Sequence, residues 1–281
     1  AHSHCRDAKR GIIPMDMGFS EEQRMLRDSV RKLMDRHAPP EMVARHDREG
    51  SYPYALHREW AEAGLFSLPF AEADGGLGGS VIDLAIVGEE IAYTSADFYM
   101  AYAGGVFCGL NIARKGTEEQ KARFLPPIMS GDLRMAISIS EADAGSDVGA
   151  MRTGARPDGD AWVVDGTKLW STGAGVENTL LNVYLKTDPS VSHRRGMSLF
   201  LIDNDAPGVE LKKLDMLGRT ATGTYEIRFD GVRVGDDRIV GGVNGGWDCI
   251  LSGLQVERIV SAAGNCGASR AVVDMAAAYA R

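Results

Sequence analysis

The apolar residues of this 281-residue chain change their spacing twice, and this change limits the folds that the chain can adopt. In the first third they recur every three or four positions, which is typical of helices with one buried face. From Met135 they alternate with polar residues, as in half-buried strands, and from about residue 245 the helical spacing returns. A block of strands between two blocks of helices predicts three consecutive units and argues against alternating strands and helices.

We therefore predict an α+β multidomain chain. Its expected parts are a leader or tag at 1–18, an N-terminal α-helical domain at 19–133, a central antiparallel β-barrel or β-sandwich domain at 134–243, and the beginning of a C-terminal helical bundle at 244–281. The leader is basic and has no apolar segment, which argues against a secretory signal. Because the last helices cannot bury their own apolar faces, we expect either that the chain is a fragment or that partner chains complete it.

Helices in the first unit are expected to begin after capping pairs, which are Ser20 with Gln23, Ser80 with Asp83, and Thr117 with Gln120. The five predicted helices cover about 21–38, 53–64, 81–92, 98–113 and 118–126, and the last should stop at two consecutive prolines. The glycine-rich segment 74–79 lacks the third glycine of a dinucleotide-binding loop. We interpret it as a tight connection into the next helix.

The central unit is predicted to contain seven strands, at 135–140, 161–164, 167–171, 180–186, 197–202, 208–213 and 225–234. Turn signals separate them. Asp165-Gly166 is typical of a two-residue hairpin loop, so we expect the second and third strands to be joined there.

Composition excludes several classes of function. The net charge is -8 and the pI about 5.3, whereas nucleic-acid-binding domains are usually basic, so we expect no nucleic-acid partner. No apolar run is long enough to span a membrane, and we expect no membrane association. The four cysteines lack metal-site or disulfide spacing, so we expect no metal and a reducing compartment.

A polar loop follows the first predicted strand, and it combines features that suit a phosphate-containing ligand. Residues 140–149 include hydroxyls, carboxylates and glycines, and glycine lets backbone N–H groups approach a ligand closely. Farther along, Trp170 is followed by Ser171 and Thr172. An indole beside two hydroxyls can cover a planar heteroaromatic ring and hydrogen-bond its edge.

Together, two stretches resemble the paired flavin signature of the acyl-CoA dehydrogenases. They are Ser140-Glu141-x-x-Ala144-Gly145-Ser146-Asp147 and Gly166-x-Lys168-x-Trp170-x-Thr172, and the resemblance extends from about Phe19 to Arg281. It implies bound FAD and an acyl-CoA substrate that loses an α-proton and a β-hydride to become a trans-2-enoyl-CoA, as in fatty-acid β-oxidation. It also implies an electron-transfer flavoprotein as electron acceptor, a homotetramer for the full-length chain, and a bacterial cytoplasmic location. Because the third, helical domain of the family continues past the position of Arg281, the resemblance further implies that the C-terminal domain is incomplete here.

The resemblance also implies roles for individual residues. The positions that match flavin contacts are Ile139, Ser140, Trp170, Ser171 and Thr172. The positions that match substrate contacts are Ser146, toward coenzyme A, and Arg258. An alternative for Ser146 is a simple turn-capping role.

Glu257 is the predicted catalytic base, since it is a carboxylate inside an apolar helical segment and burial would raise its pKa toward a useful range. The resemblance to isovaleryl- and long-chain-type members supports this position. Other members carry the base in the last domain, beyond Arg281. A surface or ion-paired glutamate is the alternative that the residues alone leave open.

The chain departs from the family pattern at two places. Ala142 and Asp143 stand where proline and glycine are common, and Arg219 lies one position earlier than the arginine of the usual Gly-x-Arg-x-Ser segment. The second departure puts a coenzyme A or subunit contact there in doubt. Two other functions stay open: a flavin oxidase or monooxygenase of the same fold, or a non-catalytic subunit of a hetero-oligomer. Acyl chain length is not predicted.

Overall fold

The computed structural model describes residues 18–281, so the predicted leader lies outside the described residues except for Gly18. Six helices form the first unit: α1 Glu21–His37, α2 Pro40–Glu49, α3 Tyr54–Glu62, α4 Val81–Thr94, α5 Ala96–Lys115 and α6 Glu118–Met129. All three predicted capping boxes are present, at the starts of α1, α4 and α6. In each, the cap side chain accepts a backbone N–H that would otherwise lack a partner.

Two helix predictions were wrong. Helix α2 was not predicted, and it begins at Pro40 because proline is well suited to the first helical position. Helix α6 does not stop at Pro126 but continues to Met129. The proline carbonyls accept hydrogen bonds from the N–H groups of Ser130 and Leu133, and the burial of neighbouring apolar side chains outweighs the bonds that the prolines cannot donate.

The central unit contains eight strands: β1 Arg134–Ser138, β2 Gly154–Asp158, β3 Ala161–Thr172, β4 Thr179–Lys186, β5 Met197–Asp203, β6 Val209–Lys213, β7 Thr224–Gly235 and β8 Ile239–Val240. Their order in the sheet is β6-β7-β3-β2-β4-β5-β8, and β1 also pairs with β4. The sheet is mixed, because β1 and β2 run parallel to β4. The prediction of an antiparallel domain was wrong at these two pairs. The β2–β3 hairpin connects β1 to β4, and β3 connects β2 to β4, so each parallel pair has the long connection that it requires.

The predicted turn at Asp165-Gly166 was also wrong, since β3 passes through it as one strand. Gly166 has a φ of 140°, and the pairing with β7 shifts register there. A Cβ at this position would lie 2.6 Å from Thr153, so the close approach of β2 requires glycine. The two residues that are typical of a hairpin turn therefore form a β-bulge within one strand.

After the short helix α7 His193–Gly196 between β4 and β5, the last element is the 34-residue helix α8 Gly246–Tyr279. Helix α8 packs closely against α4, because Gly88 and Gly267 allow the two backbones to approach. The main hydrophobic core joins α1 and α3–α6, the inner face of the sheet and the first half of α8. Within residues 18–281 no helix is long and apolar enough to cross a membrane.

Candidate active site

A cavity of about 470 Å³ lies where α5 and α8 approach β1 and β3. Its lining includes three of the predicted site residues, namely Trp170, Thr172 and Glu257. Helix α5 contributes mainly apolar groups, among them Met100 and Phe107, and the loop before β7 contributes Arg219. The fold therefore brings together an indole, a hydroxyl and a carboxylate that are far apart in sequence.

Trp170 lies on a bulge in β3. Lys168 pairs with Ile227 and Ser171 with Tyr225, so two residues of β3 stand opposite one residue of β7. The bulge places Trp170 in the left-handed region with φ 67°, and 54% of the residue is exposed. A strained backbone that holds a large aromatic ring away from the core is a feature of binding sites.

Ser171 and Thr172 differ in the direction of their hydroxyl groups. Ser171 is buried and its hydroxyl donates to Oγ of Ser138 at 3.0 Å, so this side chain ties β3 to β1. The hydroxyl of Thr172, on the cavity wall, lies 3.4 Å from that of Thr224 and accepts a hydrogen bond from Arg219 at 3.3 Å. Of these two predicted flavin contacts, only Thr172 presents its side chain to the cavity.

The buried side chain of Lys168 binds the loop that follows β1. Its ammonium group donates to the carbonyl of Ile139 at 2.9 Å and to Oε1 of Glu141 at 2.8 Å. The carbonyl of Ser140 accepts a bond from the N–H of Leu169 at 2.8 Å. Ile139 also lines a narrow cleft that it shares with Glu257. This anchoring role of Lys168 was not predicted, although the residue is part of the motif.

Ser146 is exposed on this loop and lies outside the cavity lining. It does not cap the following turn, because Asp147 accepts the N–H of Gly149 at 3.0 Å instead. Gly149 packs against His193 of α7, the first of three consecutive basic residues. Arg194 stacks over the ring of Trp247 at 5.4 Å. The run His193-Arg194-Arg195 is visible in the sequence, but no role was predicted for it.

Glu257 projects from α8 into the cavity and is half-buried. Burial raises the pKa of its carboxyl group, and the charge of Arg258 opposes that rise. Across residues 18–281, the Glu257 carboxylate accepts no hydrogen bond and forms no ion pair. Arg258, the predicted substrate contact, is exposed and does not line the cavity.

Ser261 and Gly264 follow Glu257 on the same face of α8 at helical spacing, and both line the cavity. The hydroxyl of Tyr99 on α5 lies 3.4 Å from that of Ser261. A Cβ at Gly264 would lie 3.2 Å from the Tyr99 ring, so the small residue leaves space for this aromatic side chain. The α8 wall of the cavity therefore carries one acidic group and otherwise small or polar residues.

Two family models match this chain. The acyl-CoA dehydrogenase N-terminal domain matches residues 20–132, and the acyl-CoA dehydrogenase middle domain matches residues 136–232. The chain belongs to the acyl-CoA dehydrogenase family. The predicted family and fold are thereby confirmed, and FAD, the predicted cofactor, is the cofactor that members of this family bind.

Curated relatives include mitochondrial isovaleryl-CoA dehydrogenase of Pongo abelii, which is 34% identical over 95% of this chain and 65% of its own length. A probable acyl-CoA dehydrogenase of Bacillus subtilis is 32% identical over 95% of this chain and 70% of its own. The chain spans 50% of a third relative, (2S)-methylsuccinyl-CoA dehydrogenase of Cereibacter sphaeroides. This acyl-CoA dehydrogenase homologue is thus shorter, as given, than the relatives it matches.

Solved structures agree with this assignment. A glutaryl-coenzyme A dehydrogenase in complex with glutaryl-CoA superposes with a TM-score of 0.89 at 32% identity, covering 94% of this chain and 68% of that one. A glutaryl-CoA dehydrogenase of Mycobacterium smegmatis in complex with FADH2 gives a TM-score of 0.84 at 26% identity, with coverages of 93% and 66%. In this family member, Trp170 lies beside the cavity with a strained backbone and an exposed side chain.

Proposed function

We propose that this chain catalyses the dehydrogenation of an acyl-CoA thioester to the trans-2-enoyl-CoA. One observation carries the proposal: Glu257, a half-buried carboxylate with no partner among the described residues, faces the same cavity as Trp170 and Thr172. A carboxylate that is free to take a proton, beside a site suited to a flavin, is the minimum that α,β-dehydrogenation requires.

The residues that would hold FAD come from β1, β3 and the loop after β1. Trp170 would cover the ring, the Thr172 hydroxyl would bond to its edge, and Ile139 and Ser140 would bound its other end. Ser171 would act through its backbone, because its hydroxyl is already bonded to Ser138. When bound, FAD supplies the acceptor for the hydride that leaves the β-carbon.

Glu257 would take the proton from the α-carbon. Its raised pKa makes the carboxylate a stronger base than an exposed glutamate, which brings its proton affinity closer to that needed at neutral pH. Arg258 limits the rise through its charge, so we assign it an influence on the base in addition to the predicted substrate contact. The α-hydrogen becomes acidic enough only if the thioester carbonyl is also hydrogen-bonded.

The nucleotide end of coenzyme A would lie along the surface beside Ser146. The exposed Arg194 and Arg195 on the adjacent turn have no carboxylate partner in the part of the chain that the structure describes. Guanidinium groups pair well with phosphates, and coenzyme A carries several of them. This surface therefore supports a coenzyme A thioester as the substrate.

We further propose an electron-transfer flavoprotein as the electron acceptor, a homotetramer for the full-length chain, and a bacterial cytoplasmic location. We keep 19–133, 134–243 and 244–281 as the domain limits. Apolar residues at the end of α8 are exposed, including Val272, Val273 and Met275, which is consistent with packing against further protein.

The test is an anaerobic titration of the FAD-bound protein with a panel of acyl-CoAs, followed by visible absorbance. The dehydrogenase assignment predicts that at least one thioester bleaches the flavin band and that an enoyl-CoA product accumulates. Air should then reoxidise the protein slowly, whereas an electron-transfer flavoprotein should do so rapidly. Fast reoxidation by oxygen would instead identify an oxidase, and a protein that no thioester reduces would contradict the proposal.

A further inference from the structure

A narrow cleft opens from the active-site cavity at Glu257, and the proposed reaction does not use it. Glu257, Phe107 and Ile137 line both the cavity and the cleft, so Glu257 lies where the two spaces meet. The cleft has a volume of about 10 Å³, which is close to the space that one water molecule needs. Its lining also includes two buried polar side chains, Tyr184 of β4 and Asn111 of α5.

The hydroxyl of Tyr184 is a buried donor whose proton has no acceptor in the part of the chain that the structure describes. Tyr184 is fully buried, and its one hydrogen bond among residues 18–281 is the bond that it accepts from Nδ2 of Asn111 at 3.0 Å. Buried tyrosine hydroxyls usually find a partner for their proton. Burial raises the pKa of this hydroxyl well above its ordinary value, so it keeps its proton at neutral pH. The proton is therefore available to a group in the cleft.

Asn111 is held beside the cleft by its contacts with α8. Its Oδ1 accepts a hydrogen bond from the hydroxyl of Ser252 at 3.4 Å, and a Cβ at Gly253 would lie 3.0 Å from the same oxygen. Gly253 therefore leaves room for the amide one helical turn before Glu257. An amide has two N–H donors, and within residues 18–281 Asn111 uses only one of them, toward Tyr184. The second is a further donor at the cleft.

Glu257 is the acceptor that these two donors lack. Across the described residues its carboxylate accepts no hydrogen bond, although it shares the cleft with Tyr184 and Asn111. One water molecule in the cleft would accept a hydrogen bond from Tyr184 and one from Asn111, and would donate one to Glu257. Three hydrogen bonds to otherwise unsatisfied polar groups are typical of a buried water molecule.

We propose that Tyr184 is a positioning residue for the catalytic base, and that its hydroxyl hydrogen-bonds the Glu257 carboxylate through one water molecule that Asn111 also binds. This inference rests on the proposed function. The bond would hold one carboxylate oxygen toward the cleft and leave the other to face the cavity, where the α-carbon binds. It would also favour the ionised carboxylate, because a donor to the charged form lowers the pKa of a carboxyl group and offsets part of the effect of burial. The α-proton itself stays on Glu257.

The other titratable or charged groups near Glu257 and Tyr184 do not titrate between acidic and neutral pH. They are Tyr99 and Cys108 of α5, Cys249 and Arg258 of α8, and Arg219 of the loop before β7. Burial raises the pKa of the tyrosine and of both cysteines, so these stay neutral, and the two arginines stay charged. A titration observed at this site in that range therefore belongs to Glu257.

The test compares the pH dependence of flavin reduction by a substrate thioester in FAD-bound wild type, Tyr184→Phe and Tyr102→Phe. Phenylalanine keeps the ring and removes only the hydroxyl. Tyr102 is the matched control, because it is also fully buried but donates to the carbonyl of Leu65 and does not line the cleft. We expect the midpoint of Tyr184→Phe to rise by about one pH unit, which lowers the rate about tenfold on the acidic side of the profile. The midpoint of Tyr102→Phe should stay at the wild-type value.

An infrared titration follows the same carboxyl group without turnover. The band of protonated Glu257, identified by its loss in Glu257→Gln, should titrate with a higher midpoint in Tyr184→Phe than in wild type. Asn111→Leu, which removes the second donor to the water molecule, should shift the midpoint in the same direction. The visible spectrum of bound FAD would verify that each variant is folded.

An unchanged midpoint in Tyr184→Phe would overturn the inference, because the hydroxyl would then not act on Glu257. A rate that falls equally at every pH, or an equal shift in Tyr102→Phe, would show a merely structural role and would overturn it as well. Failure of the proposed function is a distinct result. In that case no thioester would reduce the flavin of the wild type, while the infrared midpoints would still show whether Tyr184 acts on Glu257.

Discussion

Nζ of Lys168 lies 2.8 Å from Oε1 of Glu141, and the Lys168 side chain is fully buried. This ion pair joins the two halves of the flavin signature, since Glu141 belongs to the loop after β1 and Lys168 to β3. Burial acts to raise the pKa of Glu141, but bonds from Lys168 and from the N–H groups of Arg152 and Thr153 outweigh it and lower the pKa. The pair therefore fixes the geometry between the loop and Trp170.

Lys168→Met should destabilise the protein by about 3 kcal/mol, because removing one partner leaves a largely buried carboxylate without its counter-charge. Two backbone N–H groups also bind Glu141, so we expect the loss of stability to be at the lower end of the range for breaking a buried ion pair. Urea unfolding would measure it, with the exposed Lys212→Met as the matched control. Equal stabilities of the two variants would show that the pair contributes little.

Trp170→Gly should separate stability from cofactor binding. Glycine tolerates a φ of 67° without strain, so the free energy of unfolding of the flavin-free protein should stay the same or rise by up to about 1 kcal/mol. The loss of the indole should weaken FAD binding by about tenfold or more. Urea unfolding and fluorescence titration with FAD would measure the two effects. A large loss of stability with unchanged FAD affinity would assign Trp170 to the core instead.

The pH dependence of flavin reduction should report on Glu257. Because the base must be ionised and burial raises its pKa, the rate should increase with pH through a midpoint above that of an ordinary glutamate. Arg258→Gln removes the charge that opposes this rise, so its midpoint should move to higher pH. Stopped-flow reduction from acidic to neutral pH would show this. A midpoint that stays in place, or moves down, would mean that Arg258 does not act on the base.

Gly267→Ala should loosen the contact between α4 and α8, because the new Cβ would lie 2.0 Å from the carbonyl oxygen of Glu89. Overpacking against backbone cannot be relieved by a rotamer change, so we expect a loss of about 2 kcal/mol or more. Ser269→Ala, at an exposed position on the same helix, is the control and should have little effect. Chemical denaturation of both variants would decide whether this contact is as tight as the structure indicates.

Much of the fold could be predicted from local signals. The capping pairs located three helix starts, and the change to alternating apolar residues located the sheet within one or two residues of its first strand. Pairing could not be predicted, since it depends on long-range register. Asp165-Gly166 has the residues of a hairpin turn, yet the close approach of Thr153, just before β2, and the pairing with β7 keep it within one strand.

Site residues that belong to a sequence motif could be predicted. Site residues that reach the cavity only through the packing of separate elements could not. The sequence indicated Trp170, Thr172 and Glu257, and the structure places all three on one cavity. The sequence could not show that Ser171 turns its hydroxyl toward Ser138, or that Arg219 enters the cavity, because both depend on how separate elements pack. Whether Arg258 contacts substrate stays a prediction.

The most direct test of the account is single-turnover flavin reduction by a substrate thioester in the wild-type holoenzyme and in Glu257→Gln. The account predicts that the variant still binds FAD and thioester, but that its flavin is reduced about 10³-fold more slowly, because no carboxylate can take the α-proton. Glu62→Gln, at an exposed position on α3, should behave as wild type. Reduction of the Glu257→Gln flavin at the wild-type rate would contradict the account and place the base on another residue.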